Sequence, residues 1–95
     1  MIIETPLKSG DTVTVKTTAG EEILARFVEE NDKTLKVKKP MTIMATQQGI
    51  GLGPFAFTLN PEADVVLNKS AILVIAKTDS EMASQYVQST TGLTV

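Results

Sequence analysis

The sequence predicts an all-β fold: a small, strongly bent barrel of five strands with one short helix at its C-terminal end. Three observations carry that prediction. Runs in which apolar and polar residues alternate with period two recur along the chain, separated by turn signals rich in glycine and asparagine. The longest of these runs contains Pro40, which cannot donate a ladder hydrogen bond and so demands a bend, a bulge or an exposed edge. Near the end, a helix-start signal is followed by apolar residues at helical spacing.

The first strand runs from Asp11 to Thr18, where Val13 and Val15 alternate with threonine or lysine after the turn signal Ser9-Gly10. Ala19-Gly20-Glu21 closes a tight hairpin, because Gly20 accepts positive φ at no steric cost. The second strand, Glu22 to Glu29, places Ile23, Ala25 and Phe27 on one face. After the turn Asn31-Asp32-Lys33, a long third strand extends from Thr34 to Thr46, with Leu35, Val37, Met41, Ile43 and Ala45 of one parity. Its bend at Pro40 is what a small barrel needs.

Gln47 to Pro54 holds Gly49, Gly51 and Gly53 and reads as a flexible connection, after which Phe55, Phe57 and Leu59 resume strand alternation until Asn60-Pro61 interrupts it. Val65 to Leu67 returns to strand character and Asn68-Lys69-Ser70 is a very short turn. Ala71 to Ala76 is a continuous aliphatic run, expected to be a last strand buried on both faces. Thr78 and Glu81 form a capping box, so a helix is expected over 79–90, with Met82, Ala83, Tyr86 and Val87 on one stripe and Gly92 at its C-terminal cap. That helix would cover an open end of the barrel. The chain of 95 residues is expected to be one domain with its core in 9–77.

Composition removes much chemistry. The chain has no cysteine and no histidine, which excludes disulfides, thiolate nucleophiles, imidazole bases and the commonest zinc sites. Nine basic residues against eleven acidic ones give a net charge of -2, so nucleic acid could be held only locally and not by bulk electrostatics. Met1 to Leu7 has neither the basic region nor the apolar stretch of a secretory signal, and no apolar run reaches membrane-spanning length. A cytoplasmic, non-enzymatic protein without a cofactor is expected.

Three groups of residues could carry function. The glycine series could suggest a phosphate-cradling loop, but a proline and a strand follow where a helix should, so a flexible hairpin loop is preferred. The carboxylates Glu21, Glu22, Glu29, Glu30, Asp32, Glu62 and Asp64 lie beside turns and read as solvated side chains rather than a general acid and base pair. Lys33, Lys36, Lys38 and Lys39 are the one local excess of positive charge. They suit equally an anion-binding patch and a charged edge that discourages aggregation.

Two segments resemble the Sm-like family, whose barrel is of the SH3-like kind: 20–37 for its first motif and 65–75 for its second, together less than a third of the chain. In the second, Val66-Leu67-Asn68-Lys69-Ser70-Ala71-Ile72-Leu73-Val74-Ile75 follows the family pattern without a gap, with Asn68-Lys69 where the family carries Arg-Gly. In the first, Gly20 matches, Asn31 or Glu30 stands for the family's aspartate, and Thr34 stands for its base-contacting asparagine. The resemblance implies a homo-oligomeric ring of roughly five to seven subunits, in which the fourth strand of one protomer pairs with the fifth of the next. It further implies single-stranded RNA held at the pore rim by Asn31, Lys33, Thr34, Asn68 and Lys69. So divergent a member looks like one carried by a virus or mobile element such as a phage. The alternative is a structural or protein-interaction ring, for example a phage adaptor, that has lost RNA binding.

Overall fold

The computed structural model describes residues 7–56, 58, 60 and 62–91. Within them the chain forms six strands and one helix: β1 (Thr12–Thr17), β2 (Glu22–Glu30), β3 (Thr34–Thr46), β4 (Gly49–Pro54), β5 (Asp64–Asn68), a 3-10 turn (Lys69–Ala71), β6 (Ile72–Lys77) and α1 (Ser80–Thr91). All strand pairings are antiparallel, in the order β4-β3-β2-β1-β6, with β5 also on β3. The long strand β3 thus has β2 along one side and two short strands on the other, β5 beside 34–38 and β4 beside 41–46.

Connectivity forces this sheet to curve. In a flat sheet β5 and β6 would lie four strand spacings apart, about 19 Å. Yet only the 3-10 turn joins Asn68 to Ile72, and four residues span about 14 Å at most. The sheet bends until its two ends approach, but β5 and β6 do not pair, so it remains open where a closed barrel was expected. The turn is pinned at both ends, by Lys69 N donating to Lys33 O at 2.9 Å and Thr18 N donating to Ala71 O at 2.9 Å.

The concave side holds the core: Val13, Val15, Ile23, Ala25, Phe27, Leu35, Val37, Ile72 and Ile75, with Leu7, Phe55, Val65 and Leu67 packed against it. Each fully buried aliphatic here contributes about 1.5–3 kcal/mol relative to exposure. Period-two alternation in β1 and β2 selects these residues, as expected. In β3 it fails beyond Val37. Leu24 pairs with Met41 and Arg26 with Lys38, so Lys39 and Pro40 together oppose Ala25, a bulge in which Lys39 takes φ 51°. The extra residue reverses the parity. Thr42 pairs with the core residue Ile23, and Met41, Ile43 and Ala45 turn to the other face from Leu35 and Val37. A compensating shift at Val28 restores the register between Phe27 and Glu29.

Three further expectations are corrected. The supposed flexible connection at 47–54 is mostly strand: Gln47-Gln48 make a two-residue turn and β4 pairs with β3 from Gly49 to Pro54. Alternation does not resume as a strand at Phe55, which lies in a bend, while Phe57 and Leu59 fall outside the described residues. The run Ala71 to Ala76 is not buried on both faces: among the described residues β6 pairs only with β1, and Leu73 and Val74 are 52% and 39% exposed.

Helix α1 starts as anticipated, but through a different cap. Asp79 Oδ2 accepts from Met82 N at 3.4 Å, whereas the Thr78 hydroxyl lies 2.9 Å from that of Thr14. Asp79 supplies the acceptor that the first turn lacks. The expected Gly92 cap lies outside the described residues. Leu24 and Tyr86 are the fully buried apolar side chains that do not belong to the core cluster. Leu24 alternates with Ile23 and Ala25, so it points away from the core, and α1, which packs beside β1, covers this convex face rather than a barrel end. The Tyr86 hydroxyl donates to Lys39 O at 2.6 Å, with Lys38 O at 3.2 Å. The helix is therefore fastened to the β3 bulge.

Candidate functional site at two converging turns

The β2–β3 turn and the 3-10 turn after β5 meet at one edge of the sheet. Thr34 pairs with Asn68, and the Lys69 N to Lys33 O bond ties the two turns together. An open depression of about 590 Å³ between them is lined by Asp32, Lys33, Thr34, Asn68, Lys69 and Ser70. Four of the five residues singled out from sequence therefore share one pocket. Asp32 and Ser70 were missed; both flank singled-out residues, and only the turn conformations reveal that they face the same space.

The chemistry of these residues differs from the expected clasp. Asn31 folds its own turn: its side-chain Oδ1 accepts from Lys33 N and Thr34 N, both at 2.8 Å, and its backbone N–H donates to Thr34 O at 3.0 Å. Asn68 does the same for the 3-10 turn, its Oδ1 accepting from Ser70 N at 3.2 Å. Both side chains satisfy backbone donors locally, as asparagine does in turns. Their carboxamide oxygens are already engaged.

Lys69 is also occupied. Its Nζ lies 2.6 Å from Glu30 Oε1, with side chains only 10% and 20% exposed. That oxygen is buried and makes no hydrogen bond of regular geometry among the described residues, so the neighbouring ammonium is what neutralises it. A charge withdrawn from water in this way is held by its partner and is not free to meet a phosphate. Lys33, exposed on the turn, has no carboxylate within ion-pair distance among the described residues.

The other three lysines of the 33–39 cluster each sit in an ion pair. Lys36 faces Glu29 at 3.4 Å, Lys38 faces Asp64 at 3.6 Å and Lys39 faces Glu62 at 3.1 Å. The first two are direct cross-strand partners. The Lys39 ammonium, by hydrogen bond first and by charge second, holds the Glu62 carboxyl below its usual range. Exposed pairs of this kind are screened by solvent and add little stability. Their consequence is electrostatic, because the local excess of positive charge read from 33–39 is largely cancelled. No group of three or more acidic side chains able to hold a metal ion occurs among the described residues.

No family model matches this chain, and no curated protein matches it in sequence.

A second set of surfaces surrounds the turns. The outer edges of β5 and β6 have no strand partner among the described residues, and they carry Val66, Leu73 and Val74 at 57%, 52% and 39% exposure. The arm of β3 and β4 exposes Met44 and Ile50. No described helix is long and apolar enough to cross a membrane.

Proposed function

We propose that the chain is a non-enzymatic assembly module of Sm-like type, a ring of identical subunits in which β5 of one copy pairs with β6 of the next. One observation carries this reading: the sheet ends in two open, apolar edges, held close together by a three-residue turn. An exposed apolar edge is a liability in a monomer and an asset in an assembly that closes. Heterologous contacts use two different edges of each copy, and β5 and β6 supply such a pair. The cancelled charges of Lys36, Lys38, Lys39 and Lys69 favour a structural or protein-interaction role for the ring over RNA binding.

RNA binding at the rim is the second reading, supported by the gathering of Lys33, Thr34, Asn68 and Lys69 around one depression. In that case Lys33 makes the phosphate contact, and Lys33→Ala weakens binding of short single-stranded RNA and flattens its salt dependence. Light scattering on a size-exclusion column, with absorbance at 260 and 280 nm recorded together, separates the readings. An oligomer free of nucleic acid supports the structural ring and an oligomer carrying RNA the second reading; a clean monomer removes both.

A further inference from the structure

The arm formed by the end of β3 and by β4 lacks any charged residue: none occurs between Met41 and Pro61. β4 pairs only with β3, so its outer edge is open among the described residues. With a two-residue loop, Thr46 and Gly49 form the closing hydrogen-bonded pair, and the pairing continues without a bulge to Met41 and Pro54. Gly49, Gly51 and Gly53 therefore turn their amides and carbonyls to β3, and Ile50 and Leu52 turn theirs outward. Pro54 shares the outward parity, where its missing N–H removes no ladder bond. Ile50 is 61% exposed.

We propose that this arm is a homotypic docking strand: β4 pairs antiparallel with β4 of a second copy about a two-fold axis through Gly51. The occupant follows from the residue pattern. Gly49-Ile50-Gly51-Leu52-Gly53 reads the same by residue class in both directions, so antiparallel pairing sets Ile50 opposite Leu52 of the second copy and Leu52 opposite its Ile50. The outward groups of these residues exchange about four hydrogen bonds, and the four aliphatic side chains form one apolar patch. Gly51 meets Gly51 of the second copy at the axis, at a non-hydrogen-bonded position where strands approach most closely. A two-fold axis also brings each charge near its own copy, and an uncharged arm has nothing to repel. The contact is isologous and independent of the β5 and β6 edges; added to a ring, it pairs two rings face to face.

Cysteine cross-linking tests this directly, because the natural chain has no cysteine. A Cβ at Gly51 meets only the Thr46 methyl, at 3.3 Å, and the expected Cα separation of about 4.5 Å lies within disulfide range. Gly51→Cys should form a covalent dimer on mild oxidation at low concentration, whereas Glu81→Cys, exposed on α1, should remain a single chain. In parallel, Ile50→Lys should halve the mass measured by light scattering while leaving the circular dichroism spectrum unchanged. Cross-linking of Gly51→Cys no greater than the control, or a wild-type mass for Ile50→Lys, overturns the proposal. Leu73→Lys distinguishes it from the ring: that variant loses the edge contact of β6 but keeps the Gly51→Cys dimer.

Discussion

Tyr86 shows how much one side chain decides. It is the only tyrosine in the chain, it is fully buried, and its hydroxyl donates to the carbonyl of Lys39, the residue held at φ 51° in the bulge. Burial disfavours the phenolate and pushes its pKa from 10.0 up to about 12, although the nearby Arg26 pulls the other way. The neutral form is thus favoured by folding. Stability from this group is complete below pH 10 and is lost as the pH rises from 10 toward 12. Absorbance at 295 nm reports Tyr86 alone, and its midpoint should fall near 12; a midpoint near 10 would show the hydroxyl to be free in solution. Tyr86→Phe should cost about 1–2 kcal/mol in urea unfolding, the usual effect of removing a hydrogen bond and leaving a carbonyl short of a donor.

Lys69 and Glu30 give the second prediction at this scale. Glu30→Ala leaves the Lys69 ammonium withdrawn from water without its partner, and should destabilise the fold by about 3 kcal/mol. Replacing both residues with methionine should recover most of that loss. A double-mutant cycle by chemical denaturation measures the difference, and additive single effects would mean that the pair is not coupled. Lys69 was legible as a site residue because it lies in the short turn Asn68-Lys69-Ser70, where the Sm-like pattern carries Arg-Gly. Its neutralisation was not, because Glu30 lies 39 positions earlier and comes near only through the pairing of β3 with β5.

Among the elements, the β4 strand departs most from expectation. Alternate glycines look like slack in a linear reading. In three dimensions Gly51 pairs with Met44, and a Cβ at Gly53 would meet Met44 Cε at 2.5 Å and Sδ at 3.1 Å. The glycines make a track on one face along which the methionine lies. Gly53→Val should therefore cost about 1–3 kcal/mol, the usual effect of forcing extra atoms into a packed site. Much of that cost should vanish in a Met44→Ala background, where the occupant is gone. Thermal unfolding of the two variants and their combination decides it; an equal loss in both backgrounds would point to backbone strain instead. The Pro40 bulge teaches a related lesson. A break in β3 was predictable from proline chemistry alone, but its content of one extra residue, and so the reversal of parity beyond it, depends on the facing strand.

For the whole molecule, the decisive feature is a sheet whose ends approach without pairing. Leu73→Lys places a charge on the open edge of β6 at a half-exposed position, so it should leave the monomer folded while preventing edge-to-edge association. Light scattering should then show a lower mass than for the wild type, with unchanged circular dichroism. A retained wild-type mass would remove β6 from the assembly contact.

By itself the sequence determined what local chemistry controls: the alternation of β1 and β2, the hairpin at Gly20, the turns made by Asn31 and Asn68, the break at Pro40 and a C-terminal helix, expected over 79–90 and found over 80–91. Each of these depends on residues within a few positions of one another, which is the range over which side-chain periodicity, φ preference and capping act. Tertiary structure alone decided which apolar residues become edges rather than core, that the lysine cluster is cancelled by carboxylates from other strands, that α1 lies on the convex face, and that the bent sheet stays open. Those outcomes are set by contacts between residues far apart in the chain, and no local pattern encodes which distant partner a strand, a charge or a helix face will meet.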